Sequence, residues 1–178
     1  MYIGSLVNIR LQTLSDMESL ADFQNCEHMM ESLVHEMPRF TYKEQYVKKF
    51  RERMEKRHAD TEIHMTIETK DHRVIGAIGL DFIFWKNSFG FMYQYIGDER
   101  YIVGGYYEEA TRLFLEFAFN EGNVRKIKTQ VLANNTRLVD AYKANGFLVE
   151  VVHQEEVLKH GKYLDVLELA LLRENYTK

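Results

Sequence analysis

The sequence predicts an α+β (mixed α/β) fold, and three observations carry that prediction. Three apolar segments between Ile63 and Ile96 follow one another at hairpin spacing, as an antiparallel meander does. A strongly periodic amphipathic helix comes next, from Tyr106 to Ala118, and Gly122 stops it. Strand and helix patterns then alternate, the mark of a parallel crossover. The chain has 178 residues, near the usual size of one globular domain, and no linker, repeat or low-complexity tract divides it. Residues 1–178 are therefore read as a single domain.

The elements follow in order. Leu6 to Leu11 alternate as a first strand, and Ser15 with Glu18 has the capping-box spacing that opens a helix carrying Met17, Leu20 and Ala21 on its core side. A second capping box, Thr41 with Glu44, opens a charged helix whose apolar stripe is Val47, Phe50 and Met54; Pro38, the only proline, falls in the connection between the two helices. In the meander Ile63, Met65 and Ile67 alternate, Lys70 to His72 form a turn, and strands run over Val74 to Phe84 and Ser88 to Ile96. Tyr106, Ala110, Leu113, Phe114, Phe117 and Ala118 share one stripe of the long helix. Lys126 to Leu132 reads as a strand, Asn135 caps a short helix carrying Leu138, Ala141 and Tyr142, and Gly146 ends it. Two strands, about Leu148 to His153 and Tyr163 to Leu172, close the chain around a polar turn at Gly161. The order is β-α-α-β-β-β-α-β-α-β-β.

Composition excludes several classes of function. The formal charge of -4 comes from scattered residues of both signs, so no basic stripe exists to neutralise phosphates and nucleic acid is not expected as a partner. No stretch approaches the roughly 18 to 20 apolar residues of a membrane span, and no basic region precedes an apolar run at the start. Cys26 is the only cysteine, which rules out an intrachain disulfide and suits a reducing compartment; a cytoplasmic protein is expected. The seven histidines form no His-x-x-x-His pair and have no cysteine cluster beside them, so no metal is predicted. Gly-x-Ser-x-Gly and P-loop patterns are absent as well.

Physical reasoning places the chemistry where the third meander strand meets the long helix. A glycine-containing loop at a helix N-terminus presents free N–H groups and the positive end of the dipole, and Gly104-Gly105 leave room for a phosphate to approach the backbone. The same pair also serves as a tight turn, and the clustered aromatics Phe82 to Tyr95 serve as core or as pocket lining.

From Gly97 to Phe147 the chain resembles the central half of the GNAT N-acyltransferases. Tyr106-Tyr107-Glu108-Glu109-Ala110 matches that family's helix start, Asn120-Glu121 its helix end, and Asn134-Asn135-Thr136-Arg137 with Ala141-Tyr142 and Asn145-Gly146-Phe147 matches most closely. The tail, Gly161-Lys162-Tyr163-Leu164-Asp165 through Leu172-Arg173-Glu174-Asn175-Tyr176, is similar to the branch containing ribosomal-protein N-terminal and spermidine acetyltransferases. The loop departs from the family's Gln/Arg-x-x-Gly-x-Gly/Ala form: Ile102, Val103 and Tyr107 stand at three of its positions, Gly105 alone keeps register, and Gly104 compensates by a shift in a loop one residue longer.

The resemblance implies a GNAT-like central mixed sheet of about seven strands, splayed in the middle and flanked by about four helices. It implies acetyl-CoA as cosubstrate and, as acceptor, a primary amine of a small molecule or a peptide N-terminus. It is also compatible with a homodimer. The cofactor contacts it implies are Tyr95, Ile96 and Gly97 on the third meander strand, Val103, Gly104, Gly105, Tyr106 and Tyr107 in the loop, and Asn135 and Tyr142 on the opposite wall. Tyr142 would protonate the departing thiolate, a task a phenol can perform. Without the resemblance, Tyr142 reads as a core aromatic and Asn135 as an N-cap. For the general base the candidates are Asp81, Tyr93 through a water, or no dedicated group. Beside the active enzyme stands a second reading: a degenerate GNAT-fold protein that binds CoA or another ligand as a sensor or interaction module.

Overall fold

Alternating side chains pair β1 (Tyr2–Ile3), β2 (Val7–Leu11), β3 (Ile63–Thr69), β4 (Val74–Phe84), β5 (Phe89–Ile96), β6 (Lys126–Leu132), β7 (Leu148–Lys159) and β8 (Lys162–Leu172) into one sheet. Its order is β1-β2-β3-β4-β5-β6-β8-β7. Only β5 and β6 run parallel, and α4 (Tyr106–Asn120) is the crossover between them. Four further α-helices, α1 (Met17–Gln24), α2 (Glu27–Ser32), α3 (Lys43–Glu55) and α5 (Thr136–Ala144), and three short 3-10 turns complete the described elements. This computed structural model describes residues 1–32, 34, 42–55 and 61–176. The Pro38 connection, the Thr41 half of the second capping box and the Met54 side chain lie outside the described residues.

The mixed class and the long helix match the sequence reading, with two additions. β1 is two residues and α2 six, too short for a periodic pattern to reveal. The turn from β1 into β2 is held by a distant side chain: Glu109, in the first turn of α4, accepts hydrogen bonds from the amides of Ser5 (2.8 Å), Leu6 (2.6 Å) and Val7 (2.8 Å) and from the Ser5 hydroxyl (2.6 Å). Burial alone would raise its carboxyl, but these donors hold it below the usual range.

The first helix starts differently from the expectation. Its entry is a 3-10 turn over Leu14–Asp16, and the residue that fixes it is Asp16 rather than the Ser15–Glu18 pair. Asp16 Oδ2 accepts from the Thr13 amide at 2.8 Å and the Thr66 hydroxyl at 2.9 Å, while Arg10 grips both oxygens at 2.7 and 2.8 Å. The capping box therefore forms between Thr13 and Asp16, two residues before the expected pair, and the tertiary bonds of Asp16 to Arg10 and Thr66 fix it there.

One sheet face and α4 enclose the larger core, in which Ile9, Ile67, Ile78, Leu80, Phe114 and Phe119 are fully buried. Each such side chain stabilises by about 1.5–3 kcal/mol. A smaller cluster of Met17, Leu20, Phe50 and Ala77 packs α1 and α3 onto the other face. At the far edge β7 and β8 form a hairpin whose turn places His160 at φ 49° and Gly161 at φ 76°, the two left-handed positions of a tight two-residue turn. No helix among the described residues is long and apolar enough to cross a membrane.

Candidate active site

The site exists because two parallel strands part. β5 and β6 pair only at Phe89–Lys126, Gly90–Ile127 and Phe91–Lys128, and past Phe91 they diverge while each keeps its other neighbour. A cleft of about 490 Å³ fills the opening, with Gln94 and Tyr107 on one side and Thr129, Asn135 and Tyr142 on the other. Backbone that loses its ladder partner must find another or stay open to a ligand.

The wall on the β5 side shows which main-chain groups face the cleft. The Gly97 amide donates to the Ile75 carbonyl at 2.8 Å, so Gly97 belongs to the β4–β5 ladder; by alternation Tyr95 points the same way and Ile96 points into the cleft. Ile96 donates its N–H to the Tyr107 hydroxyl at 3.2 Å. The Gln94 amide donates to the Tyr107 carbonyl at 2.9 Å, and the Thr111 hydroxyl lies 2.7 Å from Gln94 Oε1. Tyr107 is thus held at both ends, and burial raises its phenol despite the Ile96 bond.

The loop before α4 is built as its glycines require. Gly104 has φ 100° and Gly105 φ 89°, both left-handed, and Gly105 sits at the N-cap with no side chain to cap the helix. The first helical amides, from Tyr106 onward, therefore have no acceptor within the helix. Val103 is exposed, and Tyr106 packs edge-to-face on Tyr101 with ring centroids 5.2 Å apart.

On the opposite wall Asn135 caps α5, its Oδ1 accepting from the Leu138 amide at 3.3 Å, while the residue also lines the cleft. Tyr142 is 1% exposed and stacks obliquely on Phe147, yet the residue lines the cleft, and its hydroxyl is hydrogen-bonded with buried Thr129. Burial pushes the phenol well above its usual range, so it carries its proton at neutral pH. Each of these two residues thus has a structural partner and lines the cleft.

Behind β5 lies a second cavity of about 490 Å³, bounded by α1, α3 and the sheet, which shares Asp81, Phe82, Tyr93, Gln94 and Tyr95 with the first. The β4 bulge that separates Asp81 from Phe84 puts Phe82 at φ 51° and turns both residues toward the cavities. There His64 Nδ1 lies 2.6 Å from the Tyr93 hydroxyl, and Nε2 lies 3.0 Å from Glu62 Oε2 and 3.7 Å from Asp81 Oδ1. The sequence reading names Asp81 but not Glu62 or His64. Alternation places Glu62 and His64 on one face, yet only the three-dimensional register shows that face covered by helices.

A family described as “Acetyltransferase (GNAT) domain” matches residues 7–148, most of the chain and all of both cavities. The chain belongs to the GNAT acetyltransferase family. A probable N-acetyltransferase, YjcK, of Bacillus subtilis (strain 168) is 29% identical over 127 residues, covering 71% of this chain and 68% of that protein. The fold is also that of spermidine N-acetyltransferase from Vibrio cholerae, solved in complex with CoA and spermine (TM-score 0.87, 21% identity, 97% of this chain and 99% of that one). Ribosomal-protein-S5-alanine acetyltransferase from Vibrio fischeri is similar too (TM-score 0.84, 16% identity, 99% and 98% of the chains). In this GNAT sheet the eighth strand, β1, is the addition to the expected seven.

Glu62, His64 and Asp81 also bring three ligand-type atoms within 4.8 Å of one another. In the structure as it stands these groups are joined by hydrogen bonds, His64 Nε2 lying 3.0 Å from Glu62 Oε2.

Proposed function

We propose that the protein transfers an acetyl group from acetyl-CoA to a primary amine of a small molecule or a peptide N-terminus, by direct attack on the thioester. The observation that carries this reading is the protonated Tyr142 phenol at the wall of the β5–β6 cleft. The amine nitrogen bonds to the thioester carbonyl carbon, the C–S bond breaks, the departing thiolate takes the Tyr142 proton, and the proton that the nitrogen sheds as it becomes the amide restores the phenol, so that amide and free thiol are the net products. A donor must be protonated when sulfur leaves, and burial keeps Tyr142 so. The N-terminal amides of α4 and the left-handed glycines before it suit the pyrophosphate of CoA, and Arg137, close enough to Tyr107 to influence its phenol, adds positive charge. The two solved relatives, one acting on spermidine and one on a protein's alanine, support an amine acceptor and leave its size open.

Two measurements test the reading together. Acetyl-CoA at about 100 times its Kd should stabilise the fold by about 2.7 kcal/mol, a rise in Tm of roughly 5–10 °C for a chain this size. Thiol release should then depend on an added primary amine. Binding without turnover on any amine favours the sensor reading, and no melting shift at all overturns the acetyl transfer and the sensing of CoA alike.

A further inference from the structure

We infer that Tyr93, His64 and Glu62 form the outlet for the proton that the acceptor ammonium must lose, with Asp81 facing the ammonium at its mouth; this rests on the acetyl transfer proposed above. At neutral pH a primary amine is mostly protonated and cannot attack a carbonyl until a base takes its proton. In the donor cleft Tyr107 and Tyr142 are phenols that hold their protons, and the carboxylate on its wall, Asp81, is shared with the second cavity, where it lies 3.7 Å from His64 Nε2. The cavity behind β5 thus adds an imidazole as the base.

The geometry fixes the direction of transfer. Glu62 can only accept, so His64 Nε2 carries the hydrogen; a neutral imidazole has one, so Nδ1 is bare and accepts from the Tyr93 hydroxyl. Tyr93 borders both cavities and therefore stands between the amine and the imidazole. The ammonium proton bonds to Tyr93 Oη while Tyr93's own proton passes to His64 Nδ1. The products are a neutral amine, an unchanged phenol and an imidazolium flanked by Glu62 and Asp81 carboxylates. Every group facing His64 has a part in this balance. Glu62 and Asp81 stabilise the imidazolium, and Arg53, 3.4 Å from Glu62 Oε2, limits that stabilisation so the proton can leave again. Burial, opposed by Glu62 and reinforced by Arg53, lowers the imidazole's pKa and leaves it neutral and ready at pH 7. The other titratable groups lining the cavity are Tyr46 and Lys49 of α3 and Tyr95 of β5.

The sheet is shaped for this contact. His64, Gly79 and Tyr93 lie opposite one another on three adjacent strands, and the missing side chain at Gly79 lets His64 and Tyr93 meet across β4. A Cβ at Gly79 would stand 2.6 Å from the Tyr93 ring and 2.8 Å from its hydroxyl.

The test uses His64→Gln and Tyr93→Phe with spermidine and an alanine-first peptide as probe amines, following kcat/KM from pH 6 to 10, with acetyl-CoA affinity as the check on folding. At pH 7 both variants should lose about 100-fold while binding acetyl-CoA normally. The loss should shrink steadily toward pH 10, where the amine arrives already deprotonated; a merely structural defect would not be cured by base. A pH-independent loss, or no loss, overturns the outlet. An arm that needs no turnover is the imidazole's tautomer in the unliganded protein, read by nitrogen-15 NMR. Nδ1 must be the bare nitrogen; a hydrogen there overturns the outlet whatever the amines show. Absence of turnover on every amine, with the tautomer as stated, counts against the acetyl transfer itself.

Discussion

Tyr107 Oη accepts the Ile96 amide hydrogen at 3.2 Å, so a side chain from α4 holds the main-chain donor that β5 turns into the cleft. The family resemblance marks Ile96 as a place where the pantetheine chain meets main chain. Ligand and phenol would then compete for one donor, and Tyr107→Phe should release it. One hydrogen bond is worth about 1 kcal/mol net, so calorimetry should find CoA bound about five-fold more tightly, with the unliganded protein slightly less stable. Weaker binding would show that the phenol itself touches the ligand.

Asp16→Asn addresses the entry of α1. The substitution removes the charge that Arg10 grips with two hydrogen bonds, in a site where Asp16 is 2% exposed. Breaking such a buried pair should cost about 3 kcal/mol, lowering Tm by roughly 6–12 °C. The pH dependence has a definite sign. Burial acts to raise both carboxyls, but hydrogen bonds to Arg10 and other donors hold Asp16 and Glu68 below their ordinary values. Their contribution is therefore complete above the unfolded pKa values near 4 and is lost as pH falls through the depressed folded ones. Acid melts from pH 6 to 2 should be less steep in the variant than in the parent.

What the sequence revealed and what it hid divides along the range of the contacts involved. The meander, α4 and the Asn135 to Phe147 segment are legible because period, caps and turns are local. Glu109 reads as part of a helix start, yet its partners are amides more than a hundred residues away in the chain. His64 looks like any other histidine in the sequence, since no spacing rule joins it to Tyr93, 29 residues on, or to Asp81 on the strand between. β7 runs to Lys159 rather than His153 because its pairing with β8 resumes after a bulge at which Glu155 adopts φ 52°, a break that ends any visible alternation. Gly97 closes the β4–β5 ladder through its amide and is packed so near Phe23 that a side chain would collide with that ring, a contact no local pattern announces.

Gly79→Ala should separate the two cavities' functions. The added methyl collides with the Ile63 carbonyl and the Tyr93 ring, so the strands must shift and stability should fall by about 1–3 kcal/mol. Since Gly79 lies on the face of His64 and not among the cleft residues, acetyl-CoA affinity at a temperature where the variant is folded should change little, while turnover falls. Equal losses of both would show that β4 transmits the disturbance into the donor cleft.

Tyr142→Phe tests the group on which the proposed chemistry turns. The ring belongs to the core with Phe147, so keeping it preserves packing, while the substitution removes the only proton the side chain can give. Thr129 then loses its partner, a defect that Thr129→Val imposes from the other side without touching the phenol. If Tyr142 protonates the thiolate, single-turnover acetyl transfer should fall about 100- to 10,000-fold in Tyr142→Phe and far less in Thr129→Val, with CoA affinity kept in both. Single-turnover data are needed because product release can hide the chemical step in steady-state rates. Equal rates in the two variants would leave Tyr142 a core aromatic whose hydroxyl serves Thr129 alone, and the sulfur would have to leave unprotonated or take its proton from water in the cleft.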